Sequence, residues 1–278
     1  MIKCGITGAT GVLGRKIRNT LSYKFIKFRK DITKKKEVEN WLKKNQFDLI
    51  IHLAAIVPTA TVKKNYTKAK NVNFLGTKNL IDSINKHDIQ LKWFFYASTS
   101  HVYKIRNKAE YLTENSKKKP HTLYGKTKLM AESYINTNLN KKYKVCIGRI
   151  FSFTDRLQKK DFFFPSIKNR VLKSKLGVLK FDNLNHFRDF ISTEDICLAI
   201  DNLWKIKANG VYNIASGKSI SLEKIVSMIC IKLKRKFLIT KNKKKPTFLM
   251  ANIKKIKKTN WKPKKKIETI IDNYFSIF

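Results

Sequence analysis

Acidic residues are scarce in this chain. Nineteen aspartates and glutamates stand against 61 lysines and arginines, a formal charge of +42 over 278 residues. Arginine is scarce as well, with 9 against 52 lysines. Base readout and stacking on RNA favour arginine and aromatic residues, and no motif interleaving the two is present. The lysines are scattered, with short clusters at 34–36, 117–119, 243–245 and 264–266. Abundant Lys, Asn and Ile is what an AT-rich coding sequence produces, so the charge reads as compositional. Specific nucleic-acid recognition is not expected; weak, salt-sensitive binding is.

Long apolar runs are missing, which excludes a membrane-spanning helix. The N-terminus opens on a short apolar strand and a glycine turn rather than a signal peptide. Only four cysteines occur, Cys4, Cys146, Cys197 and Cys230, without CxxC or Cys/His metal spacing. They read as reduced, mostly buried thiols of a cytoplasmic protein with no metal site. Internal repeats are absent, and residues 241–246 read as a lysine-rich surface loop.

The 42% hydrophobic content is enough for a sizeable core, in one large domain or two lobes. Residues 3–7 predict a first strand, 12–23 a helix, 25–28 a second strand and 34–45 a helix. The continuous apolar run 49–53 predicts a strand buried on both faces. A helix over 72–86, a strand over 92–97, a helix over 124–138 and a strand over 144–150 follow. This alternation predicts an α/β fold with a doubly wound parallel sheet, a Rossmann domain over 1–150. After 150 the alternation loosens. Residues 151–278, with a strand-like stretch at 210–214 and a helix at 222–234, predict a smaller substrate-binding lobe. Part of 186–209 is expected to return to the Rossmann domain.

Two features carry chemistry. Thr7-Gly8-Ala9-Thr10-Gly11-Val12-Leu13-Gly14 follows a strand and opens a helix. Glycine lets the backbone turn tightly and lets a pyrophosphate approach the amides, and the helix N-terminus adds donors and a favourable dipole. Tyr124 and Lys128 lie four residues apart on one helix face. A cation beside a phenol, which ordinarily titrates near 10, favours the phenolate and suits it to acid/base work near neutral pH.

The TGxxGxxG spacing resembles the short-chain dehydrogenase/reductase superfamily. Further segments resemble its extended branch, the NAD(P)-dependent sugar-nucleotide epimerases, dehydratases and reductases. They are DLIIHLAA at 48–55, NVNFLGTKNL at 71–80, FYASTSHVY at 95–103, RDFISTED at 188–195, VYNIASG at 211–217 and NIKKIKKTNWKP at 252–263, in the family's order. The resemblance implies a reacting centre of three groups. Thr99 would hydrogen-bond the substrate oxygen, with Ser98 and Ser100 beside it should the register differ by one. Tyr124 would move the proton, and Lys128 would hold down the tyrosine's pKa and bond the nicotinamide ribose. Leu53, Ala54 and Ala55 would border the cofactor, together with Gly8, Thr10, Gly11, Val12, Leu13 and Gly14. Asp31 and Ile32 resemble the adenine-contacting pair, which leaves Arg29 and Lys30 for a 2′-phosphate and favours NADP over NAD. Arg188 would bond the substrate diphosphate, while Ser100, Ser152 and Phe164 (with Pro165) would line the nucleotide-sugar pocket. His52 and His101 fall where the family tolerates packing residues.

Departures from the family pattern gather in the substrate half. Lys104 replaces a glycine, Ser152 an asparagine, and no arginine is evident shortly before residue 252. Ser100-His101 stands where dehydratases of the branch carry an Asp-Glu pair, which argues against 4,6-dehydration. Three functions are therefore expected in order: an NADP(H)-dependent reductase of a 4-keto-6-deoxy nucleotide sugar, an NAD-dependent 4-epimerase of a UDP-sugar, and a non-catalytic Rossmann protein that binds RNA. Homodimerisation through a helix pair is common in the family; the sequence does not show it.

Overall fold

A computed structural model describes residues 1–57, 59–174, 178–240 and 244–275. Six strands, β1 (Lys3–Thr7), β2 (Lys24–Lys27), β3 (Leu49–His52), β4 (Trp93–Thr99), β6 (Lys144–Ile150) and β10 (Gly210–Ile214), form one sheet in the order β10-β6-β4-β3-β1-β2. Every pairing in it is parallel. Both faces are buried, and the alternation of side chains across a strand decides which residue goes where. Leu49, Ile51, Trp93, Phe95 and Cys146 enter one core cluster. Their neighbours Ile50, Phe94, Tyr96 and Ile147 enter the other. The first face is closed by Ile17 and by Ile196, Ala199, Ile200 and Leu203 of the helix Thr193–Lys205. Leu80, Ile81 and Ile84 of the helix Gly76–Lys86 and Ala131 and Ile135 of the helix Leu123–Asn138 close the second.

The chain leaves β1 for β2 on one side and comes back to β3 on the other, so the strand order reverses at β1. A crevice opens over the carboxyl ends of strands at such a switch point. The remaining strands are β5 (Tyr111–Leu112), β7 (Ser152–Thr154), β8 (Leu179–Phe181), β9 (Phe187–Ser192), β11 (Ser219–Ser221), β12 (Phe237–Ile239) and β13 (Phe248–Ala251). They build a second sheet, β11-β9-β13-β5 with β7 also paired to β9, and a two-stranded ribbon β12-β8. A separate core under them includes Phe164, Ile167, Phe181, Phe190, Ile225 and Ile271.

Several expected boundaries shift. The strand expected at 25–28 is Lys24–Lys27, and the helix expected at 12–23 stops at Thr20, where Leu21 turns extended. The helix expected at 34–45 is Lys35–Lys43, and that expected at 222–234 is Leu222–Lys232. The largest correction concerns 210–214. Expected in the second lobe, it is the outer strand of the main sheet, paired with β6 from Gly210↔Cys146 to Ile214↔Ile150. Its alternation is indistinguishable from that of any short strand, and only the long-range pairing assigns it. The helix expected over 72–86 is α-helical from Gly76, with a π turn over Asn71–Leu75 before it. Buried Asn73 in that turn accepts from the Ile56 amide at 2.7 Å and donates to the Ile56 carbonyl and to Thr127 Oγ1, each at 3.0 Å. It thereby ties the loop after β3 to the neighbouring helix. Residues 241–243 of the expected lysine-rich loop lie outside the described residues. No helix among the described residues is long and apolar enough to cross a membrane. All four cysteines are free and buried.

Candidate active site

A cavity of about 1120 Å³ opens at the switch point. Its walls contain Gly8, Thr10, Gly11, Val12, Leu13 and Gly14, Arg29 to Ile32, Leu53 to Ala55, Thr99, Ser100, Tyr124, Lys128, Ser152, Phe164 and Arg188. The residues expected at the site thus meet in one space, except Pro165, which is buried beside Phe164 and is not part of the lining.

The glycine turn is shaped for an anion. Gly8 has φ +69°, a left-handed conformation that a side chain would strain. A Cβ on Gly14 would stand 2.3 Å from the Gly8 carbonyl oxygen, so this glycine lets helix and turn touch. Gly11 differs. A Cβ there would meet only the Gly8 oxygen at 3.3 Å, so protein packing constrains this position at the cavity wall less than it constrains Gly14. Gly11 is also the N-cap of the helix Val12–Thr20, and no side chain caps it. The helix keeps free amide donors and the positive end of its dipole toward the cavity. This turn fits a dinucleotide pyrophosphate.

Farther along, Arg18, Lys27, Arg29 and Lys30 line the wall together with Asp31. The Asp31 carboxylate is already engaged: Oδ1 accepts from the Thr33 amide at 2.9 Å and from Thr33 Oγ1 at 2.8 Å. Those bonds hold its pKa below the ordinary carboxylate value. One carboxylate occupied within its own turn, beside four cations, makes this wall strongly positive. Arg18 and Lys27 had no motif to mark them.

β4 and the helix Leu123–Asn138 bring the reacting groups together. Thr122 caps that helix by accepting from the Gly125 amide at 3.0 Å, a bond worth about 1 kcal/mol. Gly125 lets the first turn press against the end of β4, since a Cβ there would lie 2.3 Å from the His101 carbonyl oxygen. Tyr124 and Thr99 therefore lie near each other on the cavity wall. Burial pushes the phenol above its ordinary 10, and the neighbouring Thr99 hydroxyl works against that rise. Of the neighbouring hydroxyls, Ser98 donates to Glu132 and is spent there. Lys128, only 1% exposed, holds its ammonium 4.0 Å from the centroid of the Tyr96 ring. Burial lowers its pKa to about 7, against the pull of the Glu132 charge. Thr99, rather than Lys128, is the group that draws the phenol's pKa down here.

The two histidines part company. His52 is fully enclosed, with Nδ1 2.6 Å from Thr7 Oγ1 and Nε2 2.8 Å from Thr77 Oγ1. Thr77 gives its own proton to the Asn73 carbonyl, so Nε2 carries the imidazole hydrogen and Nδ1 accepts from Thr7. Thr7 Oγ1 in turn accepts from the Ala54 amide at 3.2 Å, so His52 braces the loop that lines the cavity. Burial, with the Lys128 charge adding to it, lowers its pKa to about 3. His101 instead lines the cavity, stacked on His121 at 5.6 Å and set edge-on to Tyr124 at 5.9 Å. Burial, His121 and Arg188 lower it to about 4, so it is neutral near pH 7.

The far wall comes from the second sheet. Ser152 is on β7, Arg188 on β9 and Phe164 on the helix Phe163–Lys173. Arg188 Nη1 donates to the carbonyls of Phe187 at 2.7 Å and Thr247 at 3.0 Å, and Nη2 donates to Thr247 Oγ1 at 3.1 Å. Burial lowers its pKa to about 10, which leaves it cationic. Gln158, Asp161 and Phe163 also line this wall, on a stretch whose irregular spacing gave no signal.

A family model described as GDP-mannose 4,6 dehydratase matches residues 6–274. GDP-6-deoxy-D-talose 4-dehydrogenase of Aggregatibacter actinomycetemcomitans is 28% identical over 82% of this chain and 79% of its own length. GDP-6-deoxy-D-mannose reductase of Pseudomonas aeruginosa is 25% identical over 66% of this chain and 62% of its own length. The solved structure of RMD from Pseudomonas aeruginosa complexed with NADPH superposes with a TM-score of 0.84, covering 99% of this chain and 98% of that one at 20% identity. That likeness establishes a shared fold.

Proposed function

We propose, since the chain belongs to the GDP-mannose 4,6-dehydratase family, that it is an NADP(H)-dependent oxidoreductase that reduces the C4 carbonyl of a 4-keto-6-deoxy sugar carried on a nucleoside diphosphate, with GDP the first base to test. The convergence of Thr99, Tyr124 and Lys128 in a cavity that starts at an uncapped, glycine-lined helix terminus carries this reading. Residues 1–150, with the returning helix Thr193–Lys205 and β10, would serve the dinucleotide, and most of 151–278 the sugar nucleotide.

Gly8 to Gly14 would hold the pyrophosphate, Leu53 to Ala55 would flank the dinucleotide, and Arg29 and Lys30 would meet a 2′-phosphate. The dinucleotide, when bound, supplies the hydride. Thr99 hydrogen-bonds the substrate oxygen. Tyr124, its proton retained by burial, gives that proton to the oxygen as negative charge develops on it. Lys128 places a cation behind the phenol and bonds the ribose. Arg188, still charged, meets the diphosphate with the donor capacity that Phe187 and Thr247 leave unused, while Ser100, Ser152 and Phe164 line the sugar.

The relatives' names support C4 redox chemistry on GDP-6-deoxy sugars. Dehydration is disfavoured even though the family is named for it. Ser100 and His101 follow Thr99, and the carboxylates among the lining residues are Asp31, engaged with Thr33, and Asp161. A UDP-sugar 4-epimerase using NAD is the second reading, since the same three groups serve it and Arg188 suits either. Denaturing the purified protein separates the two. An epimerase releases a tightly held NAD; a reductase releases none in stoichiometric amount and consumes NADPH with keto sugar. The third reading, a non-catalytic RNA binder, requires tight RNA binding at physiological salt and no dinucleotide binding.

A further inference from the structure

One buried ion pair lies directly behind the reacting centre. The helix Leu123–Asn138 carries Tyr124, Lys128 and Glu132 at successive four-residue steps, on one face. Glu132 receives Arg149 from β6, with Nη2 to Oε2 at 2.7 Å and Nε to Oε1 and Oε2 at 3.1 and 3.2 Å. Both side chains are only 2% exposed. Ser98 from β4 also donates to Glu132. Arg149 is held in its turn: Nη1 donates to the Glu114 carbonyl at 2.8 Å, and the guanidinium lies 4.8 Å from the centroid of the Tyr103 ring. Tyr103 donates to Asn213 Oδ1 at 2.6 Å, and the Asn213 amide donates to Glu114 Oε1 at 2.9 Å. Each member of the network is thereby fixed from more than one element.

Burying such a pair costs solvation that the attraction between its partners roughly returns, so it adds little net stability. Its orientation, however, has an electrical consequence. Lys128 sits over the Tyr96 ring of β4, with Tyr124 and Glu132 one turn away on its own helix and His52 of β3 close enough to feel its charge. Tyr96 is neutral, and His52 has both ring nitrogens bonded to threonines. Glu132 is then the one anion in this group. Arg149 reaches that carboxylate from β6, not from the helix that carries Lys128.

We propose that Glu132 and Arg149 are positioning residues: the pair locks a carboxylate behind Lys128 and keeps its buried ammonium protonated for the step at Tyr124. This rests on the reading of Lys128 as part of the reacting centre. Burial alone drives Lys128 toward the neutral amine, and Glu132 is the group that opposes it. Arg149 holds the carboxylate in place through three bonds.

The test is the pH dependence of Lys128 carbamylation by cyanate, which attacks only the neutral amine, read peptide by peptide by mass spectrometry on the full chain. The exposed Lys126 of the same helix is the internal control. Glu132→Gln should move the Lys128 midpoint down by roughly one pH unit or more, the effect of losing a near opposite charge. Because Glu132→Gln leaves Arg149 buried and unpaired, the double variant Glu132→Gln/Arg149→Met guards against misfolding. Its midpoint should fall below the wild type and above the single variant, with Lys126 unmoved. The sign is decisive. A merely structural role would loosen the site, hydrate Lys128 and move the midpoint up, toward 10.5. An upward shift, or none, in the double variant overturns the proposal. Whether the wild type consumes NADPH with a keto sugar is a separate measurement. Its failure would sink the functional reading and leave the carbamylation result standing.

Discussion

The two walls of the cavity are made differently. The dinucleotide wall is mostly backbone: a turn whose glycines admit close approach, and a helix end left uncapped. The turn's shape is set within residues 8–14, and its packing partner is the backbone of Leu53 and Ala54. The sugar wall is mostly side chains from distant segments, and those already have work within the protein. Arg188 bonds Phe187 and Thr247, and Phe164 sits in the core under the second sheet. A backbone site tolerates changes around it and fails when a Cβ intrudes. A side-chain site couples ligand affinity to the stability of its own lobe.

Tyr124 stands between the walls, and its replacement should have the largest effect. Tyr124→Phe is expected to cut turnover on the order of 10² to 10⁴-fold, the usual worth of a positioned proton donor. Dinucleotide affinity, measured by fluorescence titration, should stay within about threefold. The dinucleotide wall is broken next by a pair of alanines. Gly11→Ala should lower the Tm less than Gly14→Ala, because its Cβ would press only on the Gly8 oxygen at 3.3 Å, yet weaken dinucleotide binding roughly tenfold. Gly14→Ala, with its Cβ 2.3 Å from a backbone oxygen, should cost about 1–3 kcal/mol of stability as well. Equal losses of Tm in the two variants would erase the distinction. On the sugar wall, Arg188→Met should raise the KM for the sugar nucleotide roughly 10- to 100-fold, the worth of charge-assisted bonds, and also lower the Tm. A raised KM with an unchanged Tm would show that its bonds to Thr247 carry no stability. The smallest effect is expected at the exposed end: Arg29→Asp should reduce the NADPH over NADH preference about 5- to 10-fold. An unchanged preference removes Arg29 from the 2′-phosphate site.

How much could be read from sequence follows the same division. The central strands β3, β4 and β6 were legible because both faces are buried and the runs are continuous. The glycine turn and the Tyr124–Lys128 pair stand out by local spacing and Thr99 by the family resemblance alone, and all of them line one cavity. The strand Gly210–Ile214 was misassigned because its place depends on pairing with a strand more than sixty residues away in sequence. Arg18 and Lys27 were hidden among 61 basic residues, any of which could be surface. Glu132 and Arg149 were invisible for a related reason. In a chain with 29% charged residues, neither looks buried until β6 is laid against the helix. His101 read as packing because only the fold turns the end of β4 into a cavity wall.

Incubating the purified protein with NADPH and a GDP-linked 4-keto-6-deoxyhexose, and following absorbance at the reduced nicotinamide band, tests the central claim most directly. One NADPH should be consumed for each sugar converted, with a new C4 hydroxyl in the product and no consumption by Tyr124→Phe. If neither NADPH nor NADH is oxidised with any GDP-, dTDP- or UDP-linked keto sugar, the reductase account is wrong.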